Sequence, residues 1–245
     1  MDKGYEQKYH SIEDYNWWFL ARRHTILSML QKLPKDARII DIGCSGGVML
    51  KELQAKGFSN ITGIDFSPEA IEKCKKNNLP DCYVMDAHYP DFKEETFDLI
   101  IASDCLEHLK DDEIALKNWN KILKKGGQAI IFVPAFMSIW SEHDVINHHF
   151  RRYKKQELVE KSKAAGFGIL KASYWNCLLF FPTYIFRKIR NKSADAKEKP
   201  KDHLDNFNPV LNTILRLWLS VENIFFKSTG LPVGVSVMVT LKKPE

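Results

Sequence analysis

The chain has no apolar run near the roughly 20 residues that a spanning helix requires. Its longest such run, Leu178 to Phe186, is interrupted by Pro182. Cysteine is sparse and unpatterned. Cys44, Cys74, Cys82, Cys105 and Cys177 form no C-x-x-C pair. That argues against a disulfide frame or zinc site and for free thiols in a reducing compartment. Asp2, Lys3 and Glu6 make the N-terminus polar, so no signal peptide is expected there. No internal repeat is visible. A formal net charge of +5 is too small to argue for nucleic acid. The chain is 44% hydrophobic and 27% charged, the balance of a globule. Its 245 residues suffice for one α/β domain with an insertion.

Arg38 to Leu50, RIIDIGCSGGVML, organises the rest. Ile39, Ile40 and Ile42 form an apolar run too short for a helix, which suits a strand buried in a parallel sheet. Asp41 stands near its carboxyl end. Gly43, Ser45, Gly46 and Gly47 follow, and then Val48, Leu50 and Leu53 resume at helical spacing. Strand, glycine turn and helix is the geometry that holds a ligand at the carboxyl edge of an open α/β sheet. A dinucleotide fingerprint fails, because Ser45 and Val48 stand where its second and third glycines belong. A P-loop fails for want of Gly-Lys-Ser/Thr. The pattern acid-x-Gly-x-Ser-Gly-Gly resembles motif I of the class I S-adenosylmethionine (SAM) methyltransferases, with Ser45 replacing a glycine.

Further landmarks follow in that family's order. Ile61 to Ile64 predicts a second strand ending at Asp65, about 24 residues after Asp41, close to the offset at which an acid meets ribose hydroxyls; a cap or loop acid is the rival reading. Ser67 and Pro68 then open a helix, and Phe66 is placed to pack on adenine. Cys82 to Met85 predicts a third strand, followed by Asp86 and Ala87; the resemblance implies that Asp86 accepts from the adenine amino group. Phe97 to Ala102 predicts a fourth strand. Ser103 and the string Leu106-Glu107-His108-Leu109 resemble the family's motif IV region, which puts Ser103 by the transferable methyl and His108 either as a base or beneath the cofactor. Ile114 to Leu123 predicts a helix capped at Lys125-Gly126-Gly127, and Gln128 to Val133 a fifth strand.

Two further stretches resemble those of one subgroup of that family, associated with microbial lipid and glycan pathways. The first is Trp17-Trp18-Phe19-x-Ala21-Arg22-Arg23, beside Tyr5, Tyr9 and Tyr15, on a helix that runs to Leu33 and ends at Pro34. The family often covers its cofactor with such a helix, and Arg22 there suits the methionine carboxylate; a solvated surface charge is the rival reading. The second is Pro134 to Tyr153, with Trp140, His143, Asp144, His149, Arg152 and Tyr153. His148 stands where a glycine or another residue is expected, so His149 is aligned with the subgroup's histidine. His143, Asp144 and His149 are the candidate bases. Trp18, Trp140, Arg152 and Tyr153 are the candidate acceptor contacts. Metal binding by these groups, or an Asp144–Arg152 pair that merely pins the loop, are the rivals; the reading adopted has no metal. Alignment alone can also drive in-line transfer.

The expected fold is α/β: a Rossmann-like, seven-stranded, mostly parallel sheet with an antiparallel last strand and helices on both faces. One domain, 1–245, divides into a cover segment (1–34), a core (35–174), a helical insertion (175–232) and a last strand (233–245). Gln156 to Ala165 is a helix closed by Gly166; Phe167 to Tyr174 and Gly234 to Lys242 are the last two strands. The insertion holds two apolar helices, one within Trp175 to Ile189 and one through Leu211, Ile214, Leu215, Trp218, Phe225 and Phe226. Residues 190–206 between them are charged. It reads as simple packing, as a lid over a greasy acceptor, or as a membrane-surface contact through 175–226. The expected function is transfer of a methyl group from SAM to a small-molecule, lipid-linked or glycan acceptor, leaving S-adenosylhomocysteine. The expected place is the cytoplasm, peripheral on the inner face of the membrane. The alternatives are a protein or RNA methyltransferase, or a silent membrane-associated module of the same fold. Nucleic acid is not the expected partner, because no recognition domain or basic aromatic stripe is present.

Overall fold

The computed structural model describes residues 12–193, 208–228 and 230–245, with side chains described except at 190–193 and 224–228. Tyr5, Tyr9, the charged segment from 194 on and the side chains of Arg190, Phe225 and Phe226 therefore lie outside the described residues.

The strands are β1 (Arg38–Ile42), β2 (Asn60–Asp65), β3 (Cys82–Val84), β4 (Phe97–Ser103), β5 (Leu123–Pro134), β6 (Gly168–Trp175) and β7 (Ser236–Lys242). They form one sheet in the order β3-β2-β1-β4-β5-β7-β6. The pairings from β3 to β5 are parallel, and β7 runs antiparallel to both β5 and β6. The order reverses between β1 and β4, so a crevice opens at their carboxyl ends.

Alternation within the central strands builds two cores. Ile39, Leu99, Ile101, Ile130 and Phe132 face one side. They pack with α1 (Trp17–Met29), α2 (Val48–Ala55), α3 (Pro68–Lys76) and Leu219 of α8 (Pro209–Ser228). Ile40, Ile42, Ile100, Ala102, Ile131 and Val133 face the other. They pack with Leu116 and Trp119 of α4 (Asp112–Ile122) and Leu158 of α6 (Lys155–Ala164). A short α5 (Glu142–Ile146) lies in the loop after β5, and α7 (Phe180–Ser193) opens the insertion.

Local chemistry sets the element ends. Ser67 caps α3, its Oγ accepting from Ala70 N–H at 3.2 Å, with Pro68 in the first turn. Asn16 caps α1 by accepting from Trp18 N–H at 3.0 Å. That helix stops at Met29 rather than Leu33, because the backbone turns at Leu30 and again at Leu33. The expected helix cap at Gly126 and Gly127 is corrected. The helix ends at Ile122, and Leu123 already pairs with Phe97 in β5. The four residues Lys124 to Gly127 bulge before pairing resumes at Gln128 opposite Leu99, and Gly126 takes φ 75° in that bend.

The insertion is tied down by polar bonds from α8. Glu222 accepts from the N–H groups of Cys177 at 2.9 Å and Leu178 at 3.0 Å, and Asn223 accepts from Trp175 Nε1 at 2.9 Å. Asn212 accepts from Trp17 N–H at 2.8 Å and donates to the Tyr15 carbonyl at 2.9 Å. Among the described residues no helix is long and apolar enough to cross a membrane.

Gly47, the N-cap of α2, holds φ 81°; a Cβ there would lie 2.6 Å from Leu79 Cδ1 and 2.9 Å from Cys74 Sγ. Gly47→Ala combines left-handed strain with overpacking, so it is expected to lower unfolding free energy by about 2 kcal/mol or more. Urea unfolding checks this, and an unchanged midpoint would contradict the packing described.

Candidate active site

The carboxyl ends of β1, β2, β4 and β5 open into one cavity of about 1220 Å³. That exceeds the space a single small ligand fills. One end is built by the glycine turn. Gly43 and Cys44 donate to the Ile64 carbonyl at 2.8 and 3.0 Å, which ties the turn to β2. Asp65 then clamps two backbones. Its Oδ2 accepts from Ser45 N–H at 2.9 Å and its Oδ1 from Ser67 N–H at 2.9 Å. Ser45 takes φ 50°, the left-handed region where glycine is commonest. Phe66, beside the clamp, is 82% exposed at the cavity rim. Asp86 accepts from His88 N–H and ring Nδ1, both at 2.8 Å. Burial alone would raise its pKa, but these His88 bonds hold it below the usual value.

Asp41 is buried within β1 and lines the cavity. Burial, reinforced by Glu13, Asp65 and Cys82, raises its pKa to about 8. Ser103 and Asp104 end β4 over the cavity. Arg22 reaches across from α1, but its guanidinium forms an ion pair with Asp104 and lies 4.8 Å from the Trp18 ring centroid, 5.2 Å from Trp175 and 5.5 Å from Phe132. The surface-charge reading is therefore wrong, and the partners of Arg22 include a carboxylate of the protein itself, Asp104, and the hydroxyls of Ser103 and Ser236.

The loop after β5 forms the other end. Asp144, expected as a base, is corrected. It is buried off the cavity lining and accepts from Arg152 Nε at 2.7 Å, Ser141 N–H at 2.8 Å and His149 Nδ1 at 2.9 Å. Burial opposes its charge, yet His149 and Arg152 hold its pKa well below the usual range. It is a positioning group that orients His149 and pins the loop. His143 and His149 line the cavity. Burial lowers the His143 pKa to about 4 and that of His108 to about 3, so both rings are neutral.

Most expected contacts do line the cavity: Trp18, Arg22, Asp41, Gly43, Ser45, Asp65, Phe66, Asp86, Ala87, Ser103, His108 and Arg152. Four others do not. Gly46 faces the Lys73 side chain, and Gly47 faces Leu79 and Cys74, so these glycines serve packing behind the turn. Tyr153 is buried in the core, its hydroxyl donating to Asp112 Oδ2 at 2.8 Å. Trp140 is half-buried and lies off the lining, just past the short turn Met137–Ile139. His148 takes φ 56°, in the left-handed region that favours glycine.

The sequence reading missed several residues. Glu107, in the string Leu106-Glu107-His108, is fully buried at the cavity, and neither carboxylate oxygen has a hydrogen-bond partner elsewhere among the described residues. Burial raises its pKa to about 8. Asn176, at φ 59°, is also buried against the cavity, its side-chain amide N and O without a partner among the described residues. Leu179, Pro182 and Arg187 extend the wall from the insertion, and Ser236 from β7. Asp104 carried one signal, its place directly after Ser103; Asn176 and Ser236 carried none.

The residues fit SAM: a turn with backbone N–H groups, an acid at the end of β2, an open aromatic face and a buried acid. Two tests follow. Asp65→Ala removes the clamp and is expected to weaken SAM binding at least tenfold by calorimetry. Burial holds the Asp41 pKa up at about 8 in the folded protein, against the ordinary 3.8. Between those values the folded state holds the extra proton, so stability falls as pH rises, by at most about 1.4 kcal/mol per pH unit. Asp41→Asn is therefore expected to gain melting temperature over wild type from pH 6 to pH 8. Parallel melting curves in both proteins would refute the burial described.

A family model described as a methyltransferase domain matches residues 16–172. Over 187 residues the chain is 30% identical to EEF1A lysine methyltransferase 2 of Homo sapiens, covering 68% of this chain and 77% of that protein. The match to the Mus musculus protein of that name is 40% over 78 residues, 29% of this chain and only 32% of the relative's length. Ubiquinone biosynthesis O-methyltransferase of Pelagibacter ubique is 27% identical over 161 residues, 58% of this chain and 66% of that protein. Among solved structures, Haemonchus contortus phosphoethanolamine N-methyltransferase 2, in complex with phosphomonomethylethanolamine and S-adenosylhomocysteine, superposes with TM-score 0.65 at 18% identity, covering 100% of this chain and 59% of that one. The family match, running across the sheet and turn that build the cavity, shows that this chain belongs to the SAM-dependent methyltransferases.

Proposed function

We propose that the chain methylates a small or lipid-linked acceptor that enters beneath α7 while the protein rests on a membrane surface. The observation that carries this reading is the two-faced character of α7. Pro182, Thr183 and Arg187 line the cavity, while Phe181 and Ile185 are 62% and 56% exposed. Arg187 also donates to the Ile139 carbonyl, which holds α7 over the loop after β5. The last helix repeats the pattern. Leu219, Glu222 and Asn223 of α8 face inward, and Val210, Ile214, Leu217 and Val221 are exposed at helical spacing. Exposed Lys188 and Arg216 on these helices suit anionic headgroups.

SAM, when bound at the glycine turn, supplies the methyl group on a sulfonium. The chain aligns the acceptor for in-line displacement. Asn176 offers the acceptor a hydrogen-bond donor and acceptor, and neutral His143 is placed to receive a proton. A cytoplasmic protein, peripheral on the inner face of the membrane, fits this reading. Methylation of a protein lysine is the second reading, favoured by the identity to the human relative.

Flotation with phosphatidylglycerol vesicles tests the proposal. Wild type is expected to float. Phe181→Glu combined with Ile185→Glu is expected to lower the bound fraction at least fivefold with SAM affinity unchanged. Wild type that stays at the bottom of the gradient would sink the membrane reading and move the lysine reading first, to be tried on lysine peptides.

A further inference from the structure

Glu107 is fully buried, and neither of its carboxylate oxygens has a hydrogen-bond partner elsewhere among the described residues. A buried acid is ordinarily paired or bound to a metal. Two imidazoles stand beside it. His108 follows it in the short turn Leu106–His108, and His149 comes from the loop after α5. One ligand atom from each of the three lies within 4.8 Å of the others. The two rings meet edge to face, 4.5 Å between centroids at 87°. All three residues line the cavity.

The surroundings are those of a metal ligand set. His149 Nδ1 bonds Asp144 Oδ1 at 2.9 Å, which leaves Nε2 to ligate. Asp144 is itself fixed by Arg152 Nε at 2.7 Å and Ser141 N–H at 2.8 Å. A carboxylate behind a ligating imidazole orients the ring and raises its basicity. One carboxylate and two imidazoles suit a borderline divalent ion such as Zn²⁺, whereas Mg²⁺ and Ca²⁺ prefer oxygen ligands.

We propose that Glu107, His108 and His149 form a binding site for a divalent transition-metal ion, of the Zn²⁺ type, at the acceptor end of the cavity. Three protein ligands leave a coordination position facing the cavity, where an oxygen or nitrogen of the acceptor sits against the ion. The sequence reading, which had no metal, saw His149 as a base; here it is a ligand. The site holds an ion whichever acceptor is correct, and whether or not the protein touches a membrane.

The test uses tag-free, full-length protein, stripped with a chelator and dialysed, with neither SAM nor acceptor present. Calorimetric titration with ZnCl₂ is expected to show one equivalent bound at micromolar affinity or tighter. Glu107→Gln and His149→Ala are each expected to weaken it at least tenfold, and His24→Ala, at an exposed histidine away from the cavity, to leave it unchanged. Co²⁺ in place of Zn²⁺ is expected to give visible absorption bands that both variants lose. Melting curves and SAM titration establish that the variants are folded. Folded wild type that binds no Zn²⁺, or a Glu107→Gln/His149→Ala double variant that binds it as tightly as wild type, overturns the site.

Discussion

Everything at the cofactor end depends on one carboxylate. Asp65 accepts from Ser45 N–H on one side and Ser67 N–H on the other. It thereby joins the turn after β1 to the start of α3, two segments that the sheet alone leaves independent. A carboxylate held by two backbone donors is fixed in position, and its remaining lone pairs are aimed rather than searching. The glycines of the turn follow from this clamp. Gly43 lets the backbone pass close to Cys105, and Gly47 lets α2 begin against Leu79 and Cys74.

The second organising constraint is the placement of charge in a closed space. Asp41 and Glu107 are buried acids raised by burial. Asp144 is a buried acid lowered by its partners. Hydrogen bonds and the positive charge beside it set Asp144 apart. Asp144 has Arg152, His149 and Ser141; Glu107 has no partner for either oxygen elsewhere among the described residues. Residues left without partners in the protein mark where other matter belongs, and those whose needs are met mark scaffolding. By that criterion Arg152 and Asp144 are scaffold, while Glu107 and Asn176 look toward the cavity.

How much was legible follows from how local each signal is. Asp41, Asp65 and Asp86 are each read from a strand end followed by a turn, a pattern complete within a few residues. The sheet was legible for the same reason, since its strands carry short buried runs. Glu107 was hidden because a single acid in a Leu-Glu-His string reads as an ordinary helix start; its isolation appears only when the loop after β5 folds over it. Tyr153 was misread because an aromatic beside two arginines looks like a binding group, whereas tertiary packing put its ring in the core. Gly126 and Gly127 misled because a glycine pair after a helix resembles a cap, while the same backbone freedom serves a strand bulge.

Asn212 joins α8 to the chain entering α1, by its bonds to Trp17 and Tyr15. The helix whose Trp17, Trp18 and Arg22 wall the cavity and the helix with an outward apolar stripe are therefore fastened to each other. Any displacement of α1 must either break those two bonds or carry α8 along. The wall of the cavity and the outer apolar stripe are thus linked mechanically through one asparagine side chain.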